Sequence, residues 1–259
     1  MSDYNRVIYT AIFGGKDELI EPKFISDNFD YICFSDQNFE SDVWDVRVIE
    51  PPVSEDYTRS ARKIKILGHN FLPNYKYSIW VDGNLNIVGD LNELVEKYIN
   101  GSKISTFDHS QTNNDKFNCV YDEADSLIDR FSRGTYKDHP KVIKKQMRKY
   151  RKEGYPENNG HSITMLVVRD QQDSVVQETM EDWWSEIKNY SKRDQLSFGY
   201  ALWKNNLSRC FIPGDSRDNK YVKHTPHKIP PKRDYVSFYS VYLRITRYIK
   251  KQFRIFSNE

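Results

Sequence analysis

Short β-prone runs, each leaving polar residues at its end, alternate along this chain with stretches of helical periodicity. That alternation restricts the fold more than any other feature. Residues 6–13 form a β-branched run stopped by Gly14-Gly15, residues 30–36 a second ending on Ser35-Asp36, and residues 44–49 a third stopped by Pro51-Pro52. Residues 57–71 place Ala61, Ile64, Leu67 and Phe71 on one helical face, and residues 90–98 do the same with Leu91, Leu94, Val95 and Tyr98. Residues 104–107 and 162–169 read as further strands, residues 127–153 as a mostly helical and unusually basic stretch, and residues 174–190 and 194–204 as helices. Strands alternating with helices predict an α/β domain built on a mostly parallel sheet flanked by helices. In such sheets ligands bind beyond the carboxyl ends of the strands. Thr10, Asp36 and Asp82 stand at or near the ends of three strands and are expected to gather on that edge.

The third of these acidic edges is the richest in chemistry. The run Tyr77-Ser78-Ile79-Trp80-Val81 delivers Asp82-Gly83-Asn84 to the end of a strand. Along an extended chain positions i and i+2 face the same way. Asp82 and Asn84 can therefore hold one hard cation together, and that cation a diphosphate. A plain Asp-Gly-Asn turn accounts for the same residues. Upstream, Arg59 and Arg62 lie three apart on one helical face, suited to a diphosphate or simply to solvent. Downstream, Asp194-Gln195 opens a helical pattern: Asp194 is either its N-cap or, with Gln195, a polar pair at the mouth of a cleft. Among the histidines no paired zinc spacing appears. His224 and His227 share a Pro-containing loop that suits either a flap over phosphate and metal or an exposed linker. Gly14-Gly15 lacks the further glycines of a dinucleotide or P-loop fingerprint.

Composition matters in three places. No apolar run reaches the roughly 20 residues that span a bilayer. The first residues enter a strand-like run without the long apolar segment of a signal peptide. Three widely separated cysteines, Cys33, Cys119 and Cys210, read as reduced thiols. A cytoplasmic chain is the expectation. The formal charge of +2 hides an asymmetry, because residues 220–259 hold ten Lys and Arg against two acidic residues, leaving residues 1–219 net acidic. Wound as a helix, residues 238–256 place Phe238, Tyr242, Ile245, Ile249, Phe253 and Phe256 in a stripe opposite Arg244, Arg247, Lys250, Lys251 and Arg254. This is the pattern of an amphipathic helix lying in an anionic membrane interface, with docking onto the body of the protein or nucleic-acid contact as the alternatives.

Several of these segments, in this order, resemble a known pattern. Tyr9-Thr10-Ala11-Ile12-Phe13-Gly14-Gly15, Tyr31-Ile32-Cys33-Phe34-Ser35-Asp36, Arg59-Ser60-Ala61-Arg62-Lys63, Trp80-Val81-Asp82-Gly83-Asn84, the stretch 150–156 and Arg193-Asp194-Gln195-Leu196-Ser197-Phe198 carry the likeness. The chain resembles GT-A-fold glycosyltransferases of the type long known as domain of unknown function 616. It is more distantly similar to glycosyltransferase family 8, which includes lipopolysaccharide galactosyltransferases. The resemblance implies a GT-A, Rossmann-like domain over residues 1–219 and a basic aromatic loop and amphipathic helix over residues 220–259. It further implies transfer of a sugar from a nucleotide diphosphate donor, a UDP-sugar, to a cell-surface glycan or lipid-linked acceptor, with retention and with Mn²⁺ or Mg²⁺ assisting. Residues 235–256 would then hold the enzyme peripherally at the cytoplasmic membrane face, with no nucleic-acid partner.

Residue by residue, the likeness places Thr10, Ala11, Phe13 and Asp36 at the nucleoside, and Arg59, Arg62, Asp82 and Lys228 at the donor phosphates and sugar. Asp82, Asn84 and His224 would be metal ligands, Asp194 and Gln195 the pair beside the anomeric carbon, and Asn159, Gly160 and His161 the acceptor region. Two departures stand out: Asn84 is neutral where family 8 has a second Asp, and the His224 segment lacks that family's Gly and Trp. Two other functions fit the same residues. A metal-dependent nucleotidyltransferase would use the acidic strand end and release pyrophosphate. A non-catalytic binder of anionic polymer or membrane would use the basic tail and the run 141–152.

Overall fold

The computed structural model describes residues 5–99, 101–134 and 138–227. In chain order the elements are β1 (Arg6–Ile12), β2 (Asp30–Ser35), β3 (Asp45–Val48), α1 (Tyr57–Ile66), α2 (Gly68–Phe71), β4 (Tyr77–Val81), β5 (Leu85–Ile87), α3 (Asn92–Tyr98) and β6 (Ile104–Asp108). They continue with α4 (Val120–Ser132), α5 (Pro140–Glu153), β7 (Ser162–Asp170), α6 (Ser174–Asn189), α7 (Gln195–Lys204), β8 (Cys210–Ile212) and β9 (Val222–His224). Seven strands form one sheet in the order β3-β2-β1-β4-β7-β6-β8, and β5 pairs with β9 in a separate two-stranded ribbon. The pairs β1–β2, β1–β4, β2–β3 and β6–β8 are parallel, whereas β7 runs antiparallel to both β4 and β6. The α/β, mostly parallel architecture read from the alternation is the one found.

Packing follows from the pattern of each strand. One apolar cluster on one face of the sheet joins Ile8, Ile79, Val81 and Leu166 to Leu91, Leu94 and Val95 of the α3 region. The opposite face joins Val7, Tyr9, Trp80 and Val167 to Ile64 of α1, Trp183 and Ile187 of α6 and Phe198 of α7. A smaller cluster packs α4 and α5 against α7 through Leu127, Ile143, Tyr150, Leu196 and Tyr200. All nine residues of β7 are buried, as a strand covered on both faces must be. Each large apolar side chain so enclosed contributes roughly 1.5–3 kcal/mol relative to exposure.

One helical expectation is corrected. The single helix over 57–71 is broken at Leu67, and the short α2 begins at Gly68. The break has a cause in the core. The buried Arg169 guanidinium donates to the carbonyls of Lys65 and, at 3.1 Å, of Ile66, while Tyr9 Oη donates to Lys65 O at 2.7 Å. The carbonyls that would continue α1 are thus satisfied from the sheet. A Cβ at Gly68 would lie 2.9 Å from Tyr9 Cζ, so only glycine lets the chain pass here. The stretch 127–153 is mostly helical, as expected, in the two helices α4 and α5. Pro140 sits in the first turn of α5, a position favourable to proline, and Gly154 ends that helix in the left-handed region at φ 84°.

Because β1, β2 and β4 run parallel, their carboxyl ends share one edge. The segment after β4 turns tightly, with Leu85 N–H donating to Asp82 O at 2.9 Å, so Asp82-Gly83-Asn84 is a turn and not extended chain. β9 returns to this turn by pairing Leu85 with His224. Thr225 closes the junction, its N–H and Oγ1 both donating to Asn84 O at 2.8 and 3.0 Å. Among the described residues no helix is long and apolar enough to cross a membrane. Lys228 and the tail helix expected over 238–256 lie outside the described residues.

Candidate active site

A cleft of about 330 Å³ opens at that shared edge. β1 and the residue after it supply Ala11, Ile12 and Phe13, α1 supplies Tyr57, Ala61 and Arg62, and β4 with its turn supplies Trp80, Asp82, Gly83 and Asn84. Gln195 enters from the start of α7, and Arg217, His224 and His227 from the segment around β9. Tyr57 can stand at the rim because residue 14 is glycine. A Cβ there would lie 2.7 Å from Tyr57 Cγ, and φ is +66°. The lining holds four fixed cations, Lys16, Arg62, Arg193 and Arg217, against two carboxylates, Asp17 and Asp82. The excess of basic side chains suits a phosphate-bearing ligand.

Behind the cleft wall lies a buried ionic cluster. Lys65 is 1% exposed, and its Nζ donates to Asp194 Oδ2 at 2.6 Å, to Asp82 Oδ1 at 3.2 Å and to Thr164 Oγ1 at 3.4 Å. Arg62 Nε lies 3.3 Å from Asp194 Oδ1, and its Nη1 lies 3.8 Å from Asp82 Oδ1. Burial by itself would raise the Asp194 carboxyl, but the Arg62, Lys65 and Arg193 charges outweigh it and hold the group well below the usual carboxylate range. The Asp194 side chain makes no capping bond to α7. Between the two readings left open by the sequence, its carboxylate therefore serves the ionic cluster and not the helix terminus. Trp183 Nε1 fixes the same residue from the other side by donating to Asp194 O at 3.0 Å.

Asp82 is oriented by its own strand. Trp80, two residues earlier on the same face, donates its indole N–H to Asp82 Oδ1 at 2.6 Å. Among the described residues the other oxygen, Oδ2, accepts no hydrogen bond, and Asp82 lines the cleft. Thr10 Oγ1, buried beside this turn, also lacks a partner among the described residues. Asn84 is 4% exposed, and its Nδ2 lies 3.0 Å from His224 Nε2 and 3.4 Å from His227 Nε2. A carboxylate oxygen, an amide and imidazole nitrogen on one cleft lining are donor types that suit a divalent cation.

The residues expected at the site separate into groups. Ala11, Phe13, Arg62, Asp82, Asn84, Gln195 and His224 meet on the cleft. Thr10 and Asp194 sit directly behind it, 3% and 1% exposed. Asp36 does not line it; both its oxygens accept from Gly14 N–H, at 3.1 and 3.0 Å, in a neighbouring depression that shares Tyr57 with the cleft. Arg59 is turned elsewhere, spending its donors on Asp56 Oδ2 at 2.7 Å and on the carbonyls of Ile187 and Tyr190 at 3.0 Å. It ties α1 to the end of α6. Asn159, Gly160 and His161 are also absent from the lining, and His161 is 3% exposed.

Lys65, Lys16, Asp17, Arg193 and Arg217 are the charged contributors that sequence reasoning did not assign. Lys65 had a readable signal, since it lies four residues after Ala61 on the helix face that turns inward. Lys16, Asp17 and Arg217 come from irregular segments and carry no such mark.

His161 belongs to a second buried group with Glu123 and His109, whose ligand atoms lie within 4.8 Å of one another and could hold a metal ion. Its carboxylate is already neutralised. Arg193 Nε and Nη2 donate to Glu123 Oε1 at 2.9 and 2.7 Å, and His161 Nε2 meets Oε2 at 2.6 Å. Burial would raise Glu123, yet Arg193, His161 and His109 hold it well below the usual range. With both carboxylate oxygens taken, neither is left open for a cation, whereas Asp82 keeps Oδ2. The group reads instead as a brace that holds Arg193 against the cleft, where the guanidinium also donates to Gln195 Oε1.

Comparison with known proteins fits this geometry. A family model described as TOD1/MUCI70, glycosyltransferase-like domain, matches residues 34–227. A curated relative named "Probable hexosyltransferase MUCI70", from Arabidopsis thaliana, is 24% identical over 221 residues. That alignment covers 74% of this chain but only 36% of the plant protein, so this chain matches about a third of its relative's length. Among solved structures, the bifunctional glycosyltransferase WbbM in its apo form is similar at 11% identity and a TM-score of 0.48, over 82% of this chain and 39% of that one. The mannosyltransferase Ktr4p from S. cerevisiae is similar at 12% identity and a TM-score of 0.42, over 88% of this chain and 72% of that one. Both scores lie below 0.5, and the architecture rests on the strand order given above.

Proposed function

Because the chain belongs to the TOD1/MUCI70 glycosyltransferase-like family, we propose that it transfers a hexosyl group from a nucleoside diphosphate sugar, a UDP-sugar, to a glycan or lipid-linked glycan. The observation that carries this reading is the cleft itself, where cations outnumber carboxylates beside a single acidic turn at the carboxyl edge of the sheet. Phe13 and Tyr57 offer aromatic faces to the nucleobase. Arg62, Lys16 and Arg217 neutralise the diphosphate, and Arg62 is held toward it by Asp194. A divalent ion held by Asp82, Asn84 and His224 would add Lewis-acid stabilisation of charge on the departing diphosphate.

In this reading Gln195, on the cleft lining, would meet the anomeric carbon. Its Oε1 accepts from Arg193, which sets the amide's orientation. Retention is favoured by the state of the two carboxylates on the lining. Asp17 is paired with His227, and in this reading the open oxygen of Asp82 is committed to the divalent ion, so neither carboxylate is left as the base of an inverting attack. Residues 235–256 are the segment that would hold the enzyme at an anionic cytoplasmic membrane surface; liposome binding by the 259-residue chain tests that part separately.

A thermal-shift panel of nucleotide sugars, with and without Mn²⁺, tests the donor without knowledge of the acceptor, since stabilisation follows occupancy of the folded state. The matching donor is expected to raise the melting temperature and to release nucleoside diphosphate on slow hydrolysis. Release of pyrophosphate from a nucleoside triphosphate would assign a nucleotidyltransferase instead. Failure of every nucleotide sugar to bind or react would overturn the reading.

A further inference from the structure

The pairing of β9 with β5 brings two imidazoles to one amide. Leu85 faces His224 in the register, and Thr225 is anchored to Asn84 O, so the chain bends back and returns His227 to the same turn. His224 Nε2 and His227 Nε2 then lie 3.0 and 3.4 Å from a single atom, Asn84 Nδ2. The other nitrogen of His227 is taken: its Nδ1 meets Asp17 Oδ1 at 2.6 Å.

The proton inventory of this group has one natural solution. The Asn84 amide nitrogen carries two hydrogens and no lone pair to accept with. An imidazole that accepts from this amide through Nε2 carries its ring proton on Nδ1. For His227 that Nδ1 faces Asp17 Oδ1 at 2.6 Å, so a carboxylate backs the ring on its far side. Two imidazole Nε2 atoms turned on one point, one ring backed by a carboxylate at its Nδ1, are an arrangement proteins use for metal-binding histidine. Rotating the Asn84 amide by half a turn would replace the donor at that point with Oδ1. Asp82, two residues earlier in the same turn, supplies a carboxylate oxygen that no protein donor claims among the described residues.

We propose that His227 is a metal ligand alongside His224 and Asn84, and that Asp17 is its positioning residue, so that the cation site is a two-imidazole site. This deepens the reading given above, whose ligand set held one histidine. It also offers a use for the neutral Asn84: with two imidazoles present, less of the affinity has to come from carboxylate charge. A set richer in imidazole favours Mn²⁺, Co²⁺ or Zn²⁺ over Mg²⁺, which binds through oxygen and keeps its water.

The test uses the 259-residue chain with metal alone, no nucleotide or sugar being present. Electron spin-echo spectroscopy of bound Mn²⁺ is expected to show two imidazole nitrogens coupled to the ion in the unsubstituted protein. In calorimetric titrations, H227Q should weaken Mn²⁺ binding about tenfold or more, and D17N about tenfold, the usual range for loss of a carboxylate behind a ligating histidine. H69Q, whose ring pairs with Glu181 at 3.5 Å, should leave affinity unchanged. One coupled nitrogen or none, unchanged affinity in H227Q, or no Mn²⁺ binding would each overturn the assignment. The spectroscopic arm needs no variant, so misfolding of H227Q cannot obscure the outcome. Since no donor is present, a protein with both nitrogens coupled but no nucleotide-sugar turnover would uphold this site and refute the function proposed above.

Discussion

Replacing Lys65 with Met keeps the length of the side chain and removes its charge. The ammonium is 1% exposed and lies between Asp194 Oδ2 at 2.6 Å and Asp82 Oδ1 at 3.2 Å. Removing one partner of a buried pair strands the other charge and costs about 3–5 kcal/mol. Asp194 would retain Arg62 Nε at 3.3 Å and Thr164 Oγ1 at 2.8 Å, which places the expected loss near the lower end, about 3 kcal/mol. For a chain of this size that corresponds to a fall in melting temperature of roughly 6–12 °C. Urea unfolding of K65M, D194N and the double variant measures it directly. The double variant no longer buries an unpaired carboxylate at residue 194, so it should be more stable than the sum of the single losses by at least about 1 kcal/mol. Stability of K65M within about 0.5 kcal/mol of the parent, or strict additivity in the double variant, would refute the claim that this lysine neutralises the pair behind the cleft.

Three further expectations rest on separate parts of the molecule. Q195A should fold with unchanged stability but lower kcat by about 10²–10³, because the amide is proposed to act only on charge developing at the anomeric carbon; an equal loss confined to KM would contradict that. Burial holds the His109 imidazole down to about 4, below the roughly 6.5 expected when unfolded. The unfolded chain then binds the extra proton first. The contribution is complete above about pH 6.5, is lost as pH falls toward 4, and amounts to roughly 3 kcal/mol; chemical denaturation of H109Q against the parent from pH 4 to 7 should show the gap between them changing with pH, not constant. Finally, G68A sets a Cβ 2.9 Å from Tyr9 Cζ, and overpacking of this kind costs about 1–3 kcal/mol. Y9F should relieve part of that cost, and an unchanged unfolding midpoint in G68A would show that α2 can shift.

What could be read without coordinates is what periodicity and turn chemistry encode locally. The runs ending at Ile12, Ser35 and Val81, the helices over Ser174–Asn189 and Gln195–Lys204, and the acidic turn at Asp82 all follow from residue spacing. So did the α/β class, because alternation leaves few other ways to bury the apolar faces. The strands of three residues, β5, β8 and β9, were not legible, since three residues cannot display a period. The break in the helix at Leu67 was not legible either, because its cause is a guanidinium about a hundred residues away in sequence, at Arg169.

The candidate site divides along the same line. Residue type and order marked Arg62, Asp82, Asn84 and Gln195 as able to serve a phosphate, a cation or a sugar, since those capacities reside in the side chains themselves. That Arg59 points away while Lys65 points in, that Asp194 is a buried counter-ion, and that His227 returns to Asn84 with Asp17 behind it are consequences of how helices and strands from distant parts of the chain pack. Such pairings depend on which groups lose water together when the sheet edge closes, and one-dimensional spacing does not carry that information.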